Sequence, residues 1–402
     1  MALNEKQETW LEKIKEDAWH FTKVPKTLVT EEFCLAAVQI DGDALDYIPE
    51  ALRTEALCMA AVQQNGFALK YVPEALKTKE LCMAAVQTQG VVLRFVPEAL
   101  KNRSLCYAAV RQNGKALECV PEHLWTEFIC LAAIKTTGMA LELIGEKDRN
   151  EEFCLAAVQQ NGYALEYVPE NRMTESVCLA AVQQDGGALK YVPKALMTEA
   201  ICLSAVQKEG WMLKYVPDGL RTQAICLEAV RKGGYYNDTP LQYVPEALKT
   251  ESLCLEAVQK EGWALEHVPA TLRTEALCLA ALETDGDALK YIPEALKTEA
   301  LLLPTVQKFG RALQHVPPAL KTEAMCNAAV NQNGFALEFV PPALRSEALC
   351  HLAVEREGLA LEYVPDEFKT EELCALAVKD EFDALRYVPK DLKDKVKKAL
   401  KK

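Results

Sequence analysis

The sequence contains no apolar run approaching the 18 or so residues that cross a bilayer, so no membrane-spanning helix is expected. Histidine is scarce: five residues, at 20, 123, 267, 315 and 351. There is no GxSxG, no HExxH and no GxxxxGK[ST] segment, so neither triad hydrolysis nor nucleotide hydrolysis has its usual residues. No enzyme activity, catalytic residue, metal or cofactor is expected. Positive charge is in deficit, with 45 Lys and Arg against 58 Asp and Glu. The net charge of −13 disfavours non-specific attraction to nucleic acid or anionic lipid. Glycine and proline number only 18 and 19 and recur at fixed places, which makes them punctuation rather than disorder. The opening MALNEKQETWLEKIKEDAW lacks a basic segment followed by an apolar core, so a cleaved secretory leader is not expected. Fifteen cysteines without such a leader point to a reducing compartment. The expected location is cytoplasmic, or inside a host cell after delivery without a cleavable signal.

What the chain has in abundance is one phrase. TEALCMAAVQQNG at 54–66 returns as TEALCLAALETDG at 274–286, with near-copies between and beyond. Cysteines recur every 24 residues from Cys34 to Cys226, then at Cys254, Cys278, Cys326, Cys350 and Cys374. A fixed period of this length signals a stacked array rather than separate globules.

The unit 54–77 shows the expected construction. Thr54 stands in a column of Thr, Asn and Ser that ends at Asp394, all able to cap a helix N-terminus. Glu55 follows where the helix dipole favours an acid. Leu57, Cys58, Ala61 and Val62 share one face, and their columns are the most constant. Gly66 is expected to end this helix of about 11 residues in a left-handed conformation. Ala68, Leu69 and Val72 mark a second helix of one to two turns, stopped by Pro73. PEAL then suits a third, single turn. Such a unit cannot bury its apolar face alone, but stacked neighbours can.

The expected fold is therefore all-α, a solenoid of about fifteen 24-residue repeats. Residues 1–29 make an N-terminal capping helix and half-repeat, 30–393 the tandem repeats, with a 28-residue unit at 222–249, and 394–402 a C-terminal capping helix. Trp10, Leu11, Ile14 and Ala18 face inward in the first cap, and Leu392, Val396 and Leu400 in the last.

Packing explains the cysteine column better than chemistry. Equivalent residues on packed helices stand roughly 8–10 Å apart, beyond the reach of about 7 Å of a disulfide and far beyond shared zinc ligation. No CxxC or His–Cys pairing accompanies the column, and Leu302 replaces one member. A small, soft core residue tolerates that exchange.

Function belongs to the breaks and the variable columns. LIGEKDRN at 143–150 puts Gly145 where proline recurs, Pro304 falls inside a helix, and GGYYNDTPLQ at 233–242 adds four residues. The column after the glycine varies most. The candidate partner contacts are Phe67, Tyr163, Trp211, Trp263, Arg311 and Phe335 from that column, with Tyr235 and Tyr236 from the insertion. Exposed aromatic side chains anchor interfaces, and the competing expectation is that several simply fold over the next repeat. A second stripe is basic and includes Arg53, Lys77, Lys101, Arg149, Arg221 and Lys249. It supports an alternative, nucleic-acid or polyanion binding, although interleaved acids favour a solvated, self-neutralising face. The expected role is a non-enzymatic scaffold for a protein or peptide, with self-assembly through the ends as a third reading.

The core A-A-V-Q-Q-N-G-x-A-L-x-Y-V at 60–72 and 156–168 resembles a family of tandem bacterial and protist repeats typified by A-V-x-x-N-G-x-A-L-x-Y. That resemblance covers nearly the whole chain. It implies a helical array, often in proteins of host-associated microbes, of unknown function and with no assigned activity or catalytic residue. The period is also similar to that of leucine-rich-variant repeats, which alternate α and 3₁₀ helices, but the N-terminal cysteine cluster of that group is missing here.

Overall fold

A computed structural model describes residues 3–235 and 238–400. Among these the chain is an all-α solenoid, with 17 α-helices alternating with short 3₁₀ helices and one isolated bridge between Tyr235 and Asp238. It divides into two compact units, Met1–Lys208 and Glu209–Lys402. Within each, a repeat packs against the repeat that follows it.

One repeat consists of an α-helix Glu55–Gln64, a 3₁₀ helix Gly66–Tyr71 and a 3₁₀ turn Glu74–Leu76. The Thr54 hydroxyl accepts from the Leu57 amide at 3.3 Å, which satisfies one of the free donors of the first turn. Leu57, Cys58, Ala61 and Val62 are buried, as are Ala68, Leu69 and Val72. Pro73 leads into the last turn, its carbonyl accepting from the Leu76 amide at 2.9 Å.

The glycine column departs from expectation. The α-helix has ten residues, Asn65 beyond it is extended at φ −142°, and Gly66 is the first residue of the 3₁₀ helix. Its conformation is open to any residue; its surroundings are not. A Cβ on Gly66 would meet the Ala85 carbonyl oxygen of the next repeat at 2.7 Å, and one on Gly90 would meet that of Ala109 at 2.2 Å. The column is glycine because two backbones touch there. In the last repeat, followed by the helix Lys393–Ala399 instead of another unit, the place is held by Phe382, 71% exposed.

At the first end, Asn4 and Gln7 form a reciprocal capping box, with Leu11, Ile14 and Ala18 buried and Trp10 half-buried. At the other, Leu392 is the N-cap and Asp394 sits inside the first turn of Lys393–Ala399. Val396 is buried there, but Leu400 is 37% exposed rather than turned inward. Pro304 lies within an unbroken helix, Glu299–Lys308.

Candidate interaction surfaces

The basic stripe turns inward. Arg53 donates through Nε to the Ile48 carbonyl at 2.8 Å, through Nη2 to Asp46 at 3.2 Å, and through Nη1 to Tyr71 of the next repeat at 2.6 Å. Arg149 repeats the pattern on Ile144, Glu142 and Tyr167. Lys77 reaches the Phe95 carbonyl at 3.1 Å while pairing with Glu74 at 2.6 Å, its side chain only 7% exposed. Each of these cations caps the C-terminal carbonyl of a 3₁₀ helix, the negative end of its dipole, in the following unit. The stripe is therefore neither a phosphate track nor the solvated face expected from its acids. Trp125 occupies the same column and keeps one of the bonds, Nε1 to the Val120 carbonyl at 2.8 Å.

A second inter-repeat bond was missed in the sequence. The Gln64 side chain accepts from the Gly42 amide at 2.7 Å and donates to the Ile40 carbonyl at 3.1 Å, closing the gap between one repeat's α-helix and 3₁₀ helix. Gln112 does the same for Gly90 and Thr88. The signal in the sequence was weak: this place on the solvent-facing arc is Gln in five of fifteen repeats, at 64, 112, 160, 184 and 332.

The cysteine column is buried, and all fifteen thiols are free. Burial raises the pKa of Cys34, Cys82, Cys106 and Cys178 to about 11, because a thiolate loses its hydration there. These are inert core groups at neutral pH. Among the described residues, no three His, Cys, Asp or Glu side chains gather around a point that could hold a metal ion.

The column after the glycine is mostly half-buried rather than exposed. Phe67, Tyr163, Trp211, Trp263 and Phe335 are half-buried, and Arg311 is exposed. Several of these side chains do fold over the next repeat. Phe67 meets Phe95 edge-on at 6.5 Å, Tyr163 approaches Gly187 closely, and the Arg311 guanidinium lies over the Phe339 ring at 5.9 Å.

Among the described residues, two candidates come together at the insertion. The helix Gln223–Lys232 ends at Gly233, whose φ of 87° makes it a position where glycine is needed for conformation. Tyr235 and Asp238 exchange both backbone hydrogen bonds, at 3.2 and 3.1 Å. Asp238 accepts from the Tyr243 hydroxyl at 2.8 Å and from Lys214 at 3.2 Å. Burial and that carboxylate push the Tyr243 phenol up to about 12. Thr239 and Pro240 are buried. So pinned, the insertion lays Tyr235 beside Trp211, ring centroids 6.1 Å apart. Tyr215 packs edge-on to Trp211 at 6.4 Å, and the Lys214 ammonium sits 4.6 Å from the Trp211 ring. Tyr235 remains 59% exposed. Tyr236 lies outside the described residues.

The pattern of the repeat decides kinship. A family model described as a domain of unknown function (DUF4116) matches residues 30–77, 78–125, 126–173, 150–197 and 250–297, more than half of the chain. The chain belongs to this family. Each DUF4116 match spans two successive repeats and opens on the N-cap position, at Thr30, Thr78, Thr126, Asn150 and Thr250. The unit with the insertion lies outside the DUF4116 matches. No curated protein matches the chain.

Proposed function

We propose that the protein is a non-enzymatic scaffold that binds a protein or peptide, and that the platform of Trp211, Tyr215 and Tyr235 is a contact surface. The observation that carries this reading is the insertion. A four-residue loop anchored by Asp238 to Lys214 and Tyr243 holds Tyr235 59% exposed against a tryptophan. Rigid aromatic rings with a polar handle supply contact area at small entropic cost. Trp263, half-buried in the repeat after the insertion, is a further candidate contact. A reducing, cytoplasmic setting suits fifteen free thiols. Polyanion binding along the basic stripe loses its support, since those cations hold backbone carbonyls.

The test is capture of the tagged full chain and its Tyr235→Ala variant from their own cells at low salt, with absorbance read at 260 and 280 nm. A discrete protein retained by the wild type and about tenfold depleted with the variant supports the reading. Nuclease-sensitive material released by moderate salt overturns it, as does a partner that binds both forms alike.

A further inference from the structure

The α-helices Lys79–Thr88, Arg103–Gln112 and Glu127–Thr136 of the first compact unit break the repeat pattern together, on one face. At the first helical position every other repeat carries Glu or Gln, but these helices begin with Lys79 and Arg103 before Glu127 restores the rule. A cation there opposes the helix dipole. At the penultimate helical position, Arg111 and Lys135 stand where the other repeats of this unit have Gln. Lys79, Arg103, Arg111 and Lys135 are exposed. Among the described residues none of the four is ion-paired.

Between them are two further departures. Tyr107 is the only tyrosine in a column otherwise mostly Leu and Met, and Phe128 the only phenylalanine in a column of Ala, Ser and Glu. Their rings stack across neighbouring helices, centroids 4.6 Å apart and planes 23° apart. Phe128 is 64% exposed. Arg103, Tyr107 and Arg111 follow one another along a single helix face at steps of four, with the Arg111 guanidinium 5.8 Å from the Tyr107 ring. Arg103, Ser104, Tyr107, Phe128 and Ile129 line a groove of about 450 Å³. Of the acids in these columns, Glu127 is turned to the next repeat, accepting from the Asn150 side-chain amide at 3.2 Å, while Glu80 and Glu152 stand in the column of Phe128, two repeats before it and one after.

We infer that this face is a docking surface for an acidic segment of a partner protein that carries a large apolar side chain. The apolar side chain enters the groove against Phe128 and Tyr107, and flanking carboxylates meet Arg103, Arg111, Lys79 and Lys135. Charge complementarity selects the partner: a patch of unpaired cations on a chain of net charge −13 attracts a short acidic segment and repels a long polyanion. Stacking also argues against a nucleobase, because one face of each ring is already covered by the other, whereas base binding uses open ring faces. The surface is built from other residues than the insertion and is argued without it.

The variant that tests it is Arg103→Glu combined with Phe128→Ala. Both substitutions install residues that other repeats carry at the same positions, so the fold is kept or strengthened and the surface alone is lost. A phage-displayed library of random peptides is panned against the full wild-type chain. Enriched peptides are expected to place Asp and Glu around one Phe, Trp or Leu, to bind the double variant about tenfold more weakly, and to bind the Tyr235→Ala chain as well as the wild type. Four results overturn the inference: no enrichment, enrichment of peptides that are not acidic, equal binding to the double variant, or oligothymidylate that binds the wild type and not the variant. Thermal melting followed by circular dichroism accompanies the assay. Should the double variant melt lower, Arg111→Gln with Phe128→Ser, again residues used elsewhere in the array, takes its place.

Discussion

A glycine that any residue could replace conformationally, and none sterically, sets the distance between repeats. Gly90→Ala pushes a methyl group into the Ala109 carbonyl, and overpacking of this kind costs about 1–3 kcal/mol. Urea denaturation of the variant is expected to show that loss; an unchanged midpoint would mean that the backbones separate at no cost. The cysteines obey the same logic of space. Cys178 is fully buried, Cys130 is 6% exposed, and Cys119 alone of the fifteen is only half-buried. A thiol-reactive chromophore at neutral pH is therefore expected to label about one cysteine in the folded chain and the rest only on unfolding. The pH dependence has a definite sign. Thiols such as Cys82 and Cys226 are raised from an ordinary 9.0 to about 11 by burial. Above pH 9 the unfolded chain gives up these protons while the folded chain keeps them, so their contribution to stability is complete below pH 9 and declines as pH rises towards 11. Stability that rose across that window would contradict the burial of the column.

Most repeats are held to the next by a cation that the sequence made look like surface. Arg53 donates to three carbonyls, two in its own repeat and one in the next. Hydrogen bonds to charged groups contribute about 1.5–3 kcal/mol net of exchange with water, and Arg53 must also order a long side chain to make its own. Two repeats carry Met173 and Met197 at this place, so the array survives without every clamp. Arg53→Met is therefore expected to lower stability by about 1–2 kcal/mol, with little dependence on salt because the partners are carbonyls and not exposed ions. A salt-sensitive or negligible effect would return the stripe to solvent. Lys321 shows the other side of this placement. Pro318 takes the place of the acid that Lys77 finds in Glu74, Lys321 still reaches the Phe339 carbonyl at 2.8 Å, and burial lowers its pKa.

For the molecule as an array, damage should stay near its source, because stacked repeats exchange their stabilising contacts with immediate neighbours. In the first compact unit, hydrogen exchange of Gly90→Ala is expected to quicken in repeats 78–101 and 102–125 while 30–53 and 174–197 keep their protection. Uniform loss across the unit would describe a cooperative globule instead. The same modularity lets the array take up local departures without altering the repeat: an insertion at 233–242 in one unit, and a handful of outward substitutions at 79–135 in the other, the places of the two proposed surfaces.

Period, helix starts, the buried Leu-Cys-Ala-Val face and family kinship were all legible in the sequence, because they depend on side-chain spacing along one strand of chain. The Thr54 cap and the Cys58 packing recur in most units, the one that has Thr298 and Leu302 departing from both, and comparing repeats within the chain exposed the pattern. What the spacing along the chain could not convey was the distance between repeats. Gly66 resembled a helix terminator until the Ala85 carbonyl appeared beside it, and Arg53 resembled a surface charge until it was found on the Tyr71 carbonyl. Likewise Trp211 was an exposed anchor on paper and became half of a pair with Tyr235 only when the insertion folded back. Local preference determined the repeat; the tertiary structure decided which residues join one repeat to another and which are left facing outward, because that depends on where the next backbone lies.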